Sequence, residues 1–270
     1  TYDTDNNDRH DYHESGRTGN RVRNLALAHF VTGDDRYAEK AIDQIHHWFL
    51  NPDTYQAPQG SGQFGVEQYI TVPKFRMGAA ILRGPPYWAN KSAATPWNGG
   101  SAASAEDALA EWAVTWANNL EEPYYNNIWI WLAVAEGSAA AYARDDSLFQ
   151  AAVGRYKDTP AWNDYNSNGG FQAELNRDNG FRYQLFRMKA HAMFCELARH
   201  RGTDLYEHND LKRSFDWMAQ YVQNPDQWEW GTGTLDFDLS LEAPGLYELA
   251  YSIWQEPAYL DIVQQTGRPV

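Results

Sequence analysis

Apolar positions along this chain recur with the 3.6-residue period of buried helix faces almost throughout. Ala38, Ala41, Ile42, Ile45 and Trp48–Phe49 make one stripe, and Val22, Leu25, Ala26 and Phe30 make another just upstream. The link between them, Thr32-Gly33-Asp34-Asp35, reads as a helix stop followed by a fresh N-cap, which predicts an antiparallel helical hairpin. Ser104 with Asp107 has the form of a capping box opening a helix through Leu109, Trp112 and Trp116. Further stripes cover Ile128, Trp131, Leu132 and Ala135, then Leu185, Met188, Ala192 and Cys195. Two more run over Leu211, Phe215, Met218 and Val222, and over Leu246, Leu249, Ile253 and Trp254. Convincing period-2 strands are absent. Four long Gly/Asn-rich segments, 51–71, 85–103, 158–180 and 224–244, read as loops, and long loops in a compact domain are usually functional. With no shift of composition and no short-period repeat, the pattern predicts one all-α domain over residues 1–270. Paired helices build it, and the loops of one face form a cleft.

Composition narrows what such a domain does. At 270 residues the chain is about 1.8 times a typical domain length, large enough to bury a core without staples. Its 22 basic and 36 acidic residues leave a net charge of −14, which argues against nucleic-acid phosphates as the partner. A single cysteine, Cys195, excludes an intramolecular disulfide framework and a four-thiolate zinc site, and its apolar helix stripe reads as inert core. No run of 18 apolar residues exists to span a membrane. Thr1 begins the chain without Met or a charged-then-apolar leader, so a leader has been removed or the chain trimmed. Aromatic residues make up 15% of a chain whose mean hydropathy is −0.68. Such rings either fill the core between helices or line grooves for amphipathic ligands such as sugars. Sixteen of the 22 basic residues are arginine, the side chain suited to holding carboxylates. Against an acidic field, an anion site must be focused rather than smeared.

Two segments carry candidate chemistry. In EEPYYNNIWIW, residues 121–131, Asn126 and Asn127 stand at the start of a helix among Tyr124, Tyr125, Trp129 and Trp131. One of the two asparagines reads equally well as an N-cap. Carboxamides at a helix N-terminus also donate hydrogen bonds to an anionic oxygen, helped by the helix dipole. In FQAELNRDNGFRYQLFR, residues 171–187, Tyr183 sits beside Arg182 and six residues after Arg177. A nearby guanidinium favours phenolate over phenol, which makes Tyr183 a general-base candidate. The competing reading packs Tyr183 in the core and pairs Arg177 with Glu174 across one helical turn. His10 and His13, in the N-terminal run Asp8 to Glu14, read as a solvated terminus, as lining of the cleft, or with Asp8 or Glu14 as metal ligands. No metal and no cofactor is assigned. His46, His47 and His191 lie on helices and read as structural, while Gln63, Glu67 and Gln68 in the 51–71 loop read as cleft residues.

The run NRVRNLALAHFVTGDDRYAEKA from Asn20 to Ala41, followed by WFLNPDT from Trp48 to Thr54, resembles the alginate lyase superfamily. The likeness is to the helical-hairpin core shared by polysaccharide lyase families 5 and 38. The Asn-Asn segment and the Glu-Leu-x-Arg…Tyr segment follow in the family's order, so the resemblance spans roughly residues 14–222. It implies an incomplete α/α toroid, a barrel of antiparallel helical hairpins, and cleavage of a polyuronate by β-elimination. It implies Asn127 as the neutraliser of the uronate carboxylate, Tyr183 as the proton-transfer residue and Arg177 as the cation that positions substrate. Asn126, Arg182, His10, His13, Tyr125, Trp131, Gln63 and Gln68 would line the substrate path. Two departures stand out. Ile128 occupies the place after Asn127 where many members carry histidine, and the Trp/Pro-rich segment that usually precedes the first hairpin is absent.

Elimination takes the proton at C5 and expels the glycosidic oxygen at C4. It needs the carboxylate neutralised and the developing aci-carboxylate stabilised, the logic of an oxyanion hole. In mannuronate and glucuronate both groups lie on one face, so one tyrosine can serve as base and acid. Guluronate needs two groups. The missing histidine therefore favours mannuronan or glucuronan. The expected partner is an anionic polysaccharide met by a monomer, secreted or periplasmic as the polymeric substrate requires. One rival is a glycoside hydrolase on the same architecture, with Asp164, Glu174, Asp236 and Asp238 as candidate carboxylates. The other is a uronan-binding protein whose site has decayed. No Gly-x-Ser-x-Gly elbow or nucleotide-phosphate loop is present.

Overall fold

A computed structural model describes residues 10–59, 65–84, 86–121, 125–158, 160–231 and 239–265. The chain falls into two compact units, residues 1–123 with 132–152, and residues 124–131 with 153–270. The all-α class expected from the apolar period is what the structure has. The first unit carries α1 (His10–Thr32), α2 (Asp35–Phe49), α3 (Gly65–Ile81) and α4 (Ala105–Asn118). Helices α5 (Asn127–Ala143) and α6 (Asp146–Lys157) follow. The second unit carries α7 (Gln172–Leu175), α8 (Gly180–Arg199), α9 (Leu211–Gln223), α10 (Leu239–Glu242), α11 (Pro244–Trp254) and α12 (Pro257–Gln265). The described residues hold one small sheet, a hairpin of β1 (Ala94–Thr95) and β2 (Gly100–Ser101) inside a segment expected to be loop.

The first hairpin forms as its sequence dictates. Gly33, at φ +69°, ends α1 in a left-handed conformation that costs a glycine little. Asp34 then caps α2 by accepting the Arg36 backbone N–H at 3.0 Å. Both α2 and α3 pack against α1. Ser104 caps α4 in the same manner, accepting the Asp107 backbone N–H at 3.1 Å. The core follows the predicted stripes, with Ile42, Ile45, Trp112, Trp116, Leu132, Met188, Phe215 and Met218 buried.

Several expectations are corrected. Phe30 is 76% exposed, with Leu27 and Val31 also in the open, so the stripe on α1 ends at Ala26. Helix α3 takes over the last third of the expected 51–71 loop, from Gly65 onward, and carries Pro73 in its interior. Proline is a poor helix signal because its missing N–H removes one backbone bond. Gln68, expected to meet substrate, is buried on this helix, where its Oε1 accepts the Trp116 indole N–H at 2.8 Å. Glu67 is buried beside it. Gln63, Asp8, Asp236 and Asp238 lie outside the described residues, and of His10 only the backbone is described.

Candidate active site

The second unit brings the two chemistry-bearing segments together around one buried carboxylate. Asn126 and Asn127 open α5, and they divide the labour that the sequence left undecided. Asn126 Oδ1 accepts the Ile128 backbone N–H at 2.9 Å, the bond of a capping residue. Asn127 faces inward with 2% of its surface exposed. Its backbone N–H donates to Glu174 Oε1 at 2.6 Å, and its Nδ2 donates to Glu174 Oε2 at 3.0 Å.

Glu174 sits on α7, a single turn of helix, with no exposed surface. Arg187 on α8, equally buried, places Nη1 3.6 Å from Glu174 Oε1. Arg187 also grips Asp164 with both terminal nitrogens, at 3.1 and 2.9 Å, and stacks over the Phe171 ring at 3.9 Å. Burial pushes the Glu174 pKa above the ordinary carboxylate value, opposed by the charge of Arg187, the two donors of Asn127 and the charge of Arg177.

Arg177 joins this cluster to Tyr183. Its Nη1 lies 3.8 Å from Glu174 Oε2, and its guanidinium carbon lies 3.4 Å from the centre of the Tyr183 ring. Of the competing reading, the Arg177–Glu174 pair is present, but Tyr183 is not packed in the core and instead carries the Arg177 guanidinium on its ring. The Tyr183 ring is half-buried, its edge toward Phe186 at 6.5 Å between centroids. Behind the Arg177 turn runs Trp228-Glu229-Trp230-Gly231. Gly231 has φ +75°, and a Cβ built there would stand 2.6 Å from the Arg177 carbonyl oxygen. Trp228 packs on Phe181 at 4.9 Å and on Trp217, Tyr221 and Trp230. The loop braces the segment that presents Arg177 and Tyr183.

Tyr125 is 56% exposed, with its ring 4.9 Å from Trp129, and Arg182 is exposed at the start of α8. Trp131, expected to meet sugar, is buried against Phe186 at 4.8 Å between centroids, so it serves as core. His13 is exposed on α1, in the first unit. His191 lies wholly buried between Phe171 and Tyr156, whose hydroxyl is 2.9 Å from His191 Nδ1. Cys195 is buried with its thiol pushed up to about 12 by burial, which matches the inert reading. Among the described residues no group of three or more His, Cys, Asp or Glu is arranged to hold a metal ion, and no helix is long and apolar enough to cross a membrane.

Three residues of the cluster escaped sequence reasoning in these roles. Arg187 ends the 171–187 segment and had no role there, Asp164 entered only as a hydrolytic carboxylate, and Glu174 entered as that or as the partner of Arg177. Both carboxylates instead face the same guanidinium, so neither is placed as one of two acids flanking a scissile bond. With Arg177 and Arg187 against Asp164 and Glu174, the formal charges of the cluster cancel, inside a chain whose total is −14.

Comparison with known proteins bears on the family and the fold. The sequence model of the alginate lyase family matches residues 1–228. An alginate lyase from Bacteroides ovatus superposes with a TM-score of 0.78 at 19% identity, covering 96% of this chain and 72% of that one. Alginate lyase A1-III from Sphingomonas species A1 gives 0.65 at 17% identity, over 91% and 69% of the two chains. A histidine-to-alanine variant of A1-III complexed with tetrasaccharide gives 0.65 at 18% identity, over 94% and 69%. No curated protein matches at a significant level. At such identities these structures share the fold, and the sequence model fixes the family. The chain belongs to the alginate lyase family and is a polysaccharide lyase.

Proposed function

We propose that this lyase cleaves a polyuronate by β-elimination, with Tyr183 transferring the proton, Asn127 neutralising the uronate carboxylate and Arg177 positioning the substrate. The observation that carries the reading is the unbroken run of contacts from Asn127 through Glu174 and Arg177 to Tyr183 within one unit. Asn127 is almost fully desolvated. There, an N–H aimed at a developing anion is worth more than it would be in water. Asn Nδ2 carries two hydrogens; one meets Glu174, and the second is the donor for the aci-carboxylate. Arg177 holds the face of the Tyr183 ring and brings a positive charge to the sugar carboxylate. Arg182, Tyr125 and Asn126 border the same segments and extend the contact with an anionic chain. His10, His13 and Gln63 keep only the sequence argument for a place on the substrate path.

In the step itself Tyr183, as phenolate, takes the C5 proton. The C5–H electron pair passes through the aci-carboxylate into a new C4=C5 bond as the C4–O4 bond breaks. The phenol then returns its proton to O4. One residue performs both transfers only when the C5 proton and O4 share a face, as in mannuronate and glucuronate. With Ile128 where a second group would stand, mannuronan or glucuronan is the substrate. Tetrasaccharide complexes of A1-III exist as a tyrosine-to-phenylalanine and a histidine-to-alanine variant. This site offers the tyrosine and lacks a histidine beside Asn127. A polymer substrate also places the enzyme outside the cytoplasm, secreted or periplasmic, acting as a monomer.

The test is a panel of polymannuronate, polyguluronate and glucuronan, followed by the near-ultraviolet absorbance of the conjugated C4=C5 product. Absorbance rising on polymannuronate or glucuronan and lagging on polyguluronate supports the reading. Equal rates on polyguluronate contradict the substrate assignment, and chain shortening without absorbance contradicts elimination.

A further inference from the structure

We propose that Glu174 is a positioning residue for this elimination: its ionised carboxylate fixes which face of the Asn127 carboxamide meets the substrate, and the Asp164–Arg187 pair fixes the carboxylate. The proposal rests on the role given to Asn127 above.

A carboxamide alone turns over easily, because its oxygen and nitrogen ends have nearly the same shape. An ionised carboxylate removes that freedom, since it only accepts hydrogen bonds. Glu174 accepts twice from one residue, at 2.6 Å from the Asn127 backbone N–H and at 3.0 Å from its Nδ2. The nitrogen end must therefore face Glu174, and Oδ1 must point elsewhere. Backbone and side chain are gripped by the same group, so the Asn127 side chain is fixed relative to the first turn of α5. Charged acceptors make the stronger bonds, and these two are desolvated.

A buried carboxylate needs its own support. Arg187 on α8 supplies it at 3.6 Å from Oε1, and Arg177, between α7 and α8, adds a second charge at 3.8 Å from Oε2. Asp164, from the 3-10 turn Pro160–Asp164, occupies the far side of Arg187 and aims it. Asn127 on α5, Arg177, Arg187 and, behind Arg187, Asp164 are the polar and charged groups facing Glu174 on these elements.

A pH dependence follows. A protonated Glu174 carries an O–H donor and no longer accepts freely from both Asn127 groups. Burial moves that protonation above the ordinary glutamate range, whereas a uronate carboxyl titrates below it. Activity is fully present above the raised Glu174 pKa and is lost as pH falls through it.

The experiment is a double-mutant cycle on the full chain with Glu174→Gln, Asn127→Ala and the pair, read by unsaturated product from polymannuronate and by side-chain amide NMR. The Asn127 amide pair is assigned by its loss in N127A. Glutamine presents a donor where a carboxylate oxygen accepted, so E174Q should lower kcat about 100-fold, with a smaller change in KM. It should also shift the Asn127 amide signals, speed their exchange and abolish the acid limb of the kcat profile. In the N127A background E174Q should cost nothing further in kcat. Should E174Q fail to fold, Asp164→Asn, which loosens Arg187 from outside, takes its place in the same cycle. Effects of E174Q and N127A that multiply, or an Asn127 amide pair unchanged in E174Q, overturn the proposal. Wild-type enzyme that makes no unsaturated product from any polyuronate overturns the functional reading instead, and the amide signals still judge the clamp.

Discussion

Tyr183 and Asn127 could be singled out as candidates from the sequence because the chemistry proposed for them depends on neighbours close in the chain, a guanidinium six positions away and a helix start. Glu174 was legible as an acid and as the partner of Arg177 one helical turn away, but not as the acceptor for Asn127. Its partner Asn127 lies 47 residues upstream, and no spacing rule reaches that far. Aromatic residues misled for a different reason, since a tryptophan that stacks on sugar and one that fills a core share the same apolar spacing. Trp131 proved to be core and Tyr125 exposed. At this scale the account predicts that Tyr183→Phe lowers kcat by about 10²- to 10⁴-fold while leaving polyuronate binding in place, as calorimetry on the inactive variant would show. Arg177→Ala should raise KM as well as lower kcat, because it removes both the ring support and the charge that meets the substrate carboxylate. Steady-state kinetics separates the two effects, and an unchanged KM would remove Arg177 from substrate positioning.

Helix ends were the best-read features at the scale of elements. Capping chemistry is local, so Gly33-Asp34 and Ser104…Asp107 announced themselves. Helix α3 did not, because Pro73 breaks the propensity signal and the helix presents no clean polar face. Tertiary packing against α1 overrides both. Two predictions belong here. Ser104→Ala should destabilise the protein by about 1 kcal/mol, seen as a shift of the urea midpoint with an unchanged slope. Asp34 is held down to about 2 by its side-chain bond from Arg36. A carboxylate with a lowered pKa in the folded state stabilises at pH above the ordinary carboxylate range and loses that contribution as pH falls toward 2. Acid unfolding of Asp34→Ala should therefore show a weaker pH dependence than wild type between those limits.

For the molecule as a whole, composition argued only about the kind of partner. An acidic total of −14 weighs against nucleic-acid phosphates, yet it gave no hint that the cluster proposed to meet an anion would be made locally neutral by two arginines set against two carboxylates. The buried histidine supplies a global test. Burial, and then the charge of Arg187, keep the His191 pKa well below its usual value. The folded state therefore stays neutral there while the unfolded chain takes a proton. Stability should fall by about 1.4 kcal/mol per pH unit below about pH 6.5 from this residue. His46, with its pKa also lowered by burial, acts in the same direction. Urea unfolding at pH 7 and pH 5.5 measures the slope, and His191→Gln should flatten it. A slope identical in the variant would show that His191 is protonated within the fold.

The most direct measurement of the central claim is the near-ultraviolet absorbance of product released from polymannuronate by the wild type and by Tyr183→Phe, each shown to be folded. The account predicts a steady rise for the wild type and almost none for the variant. A variant that produces unsaturated chain ends as fast as the wild type would contradict it.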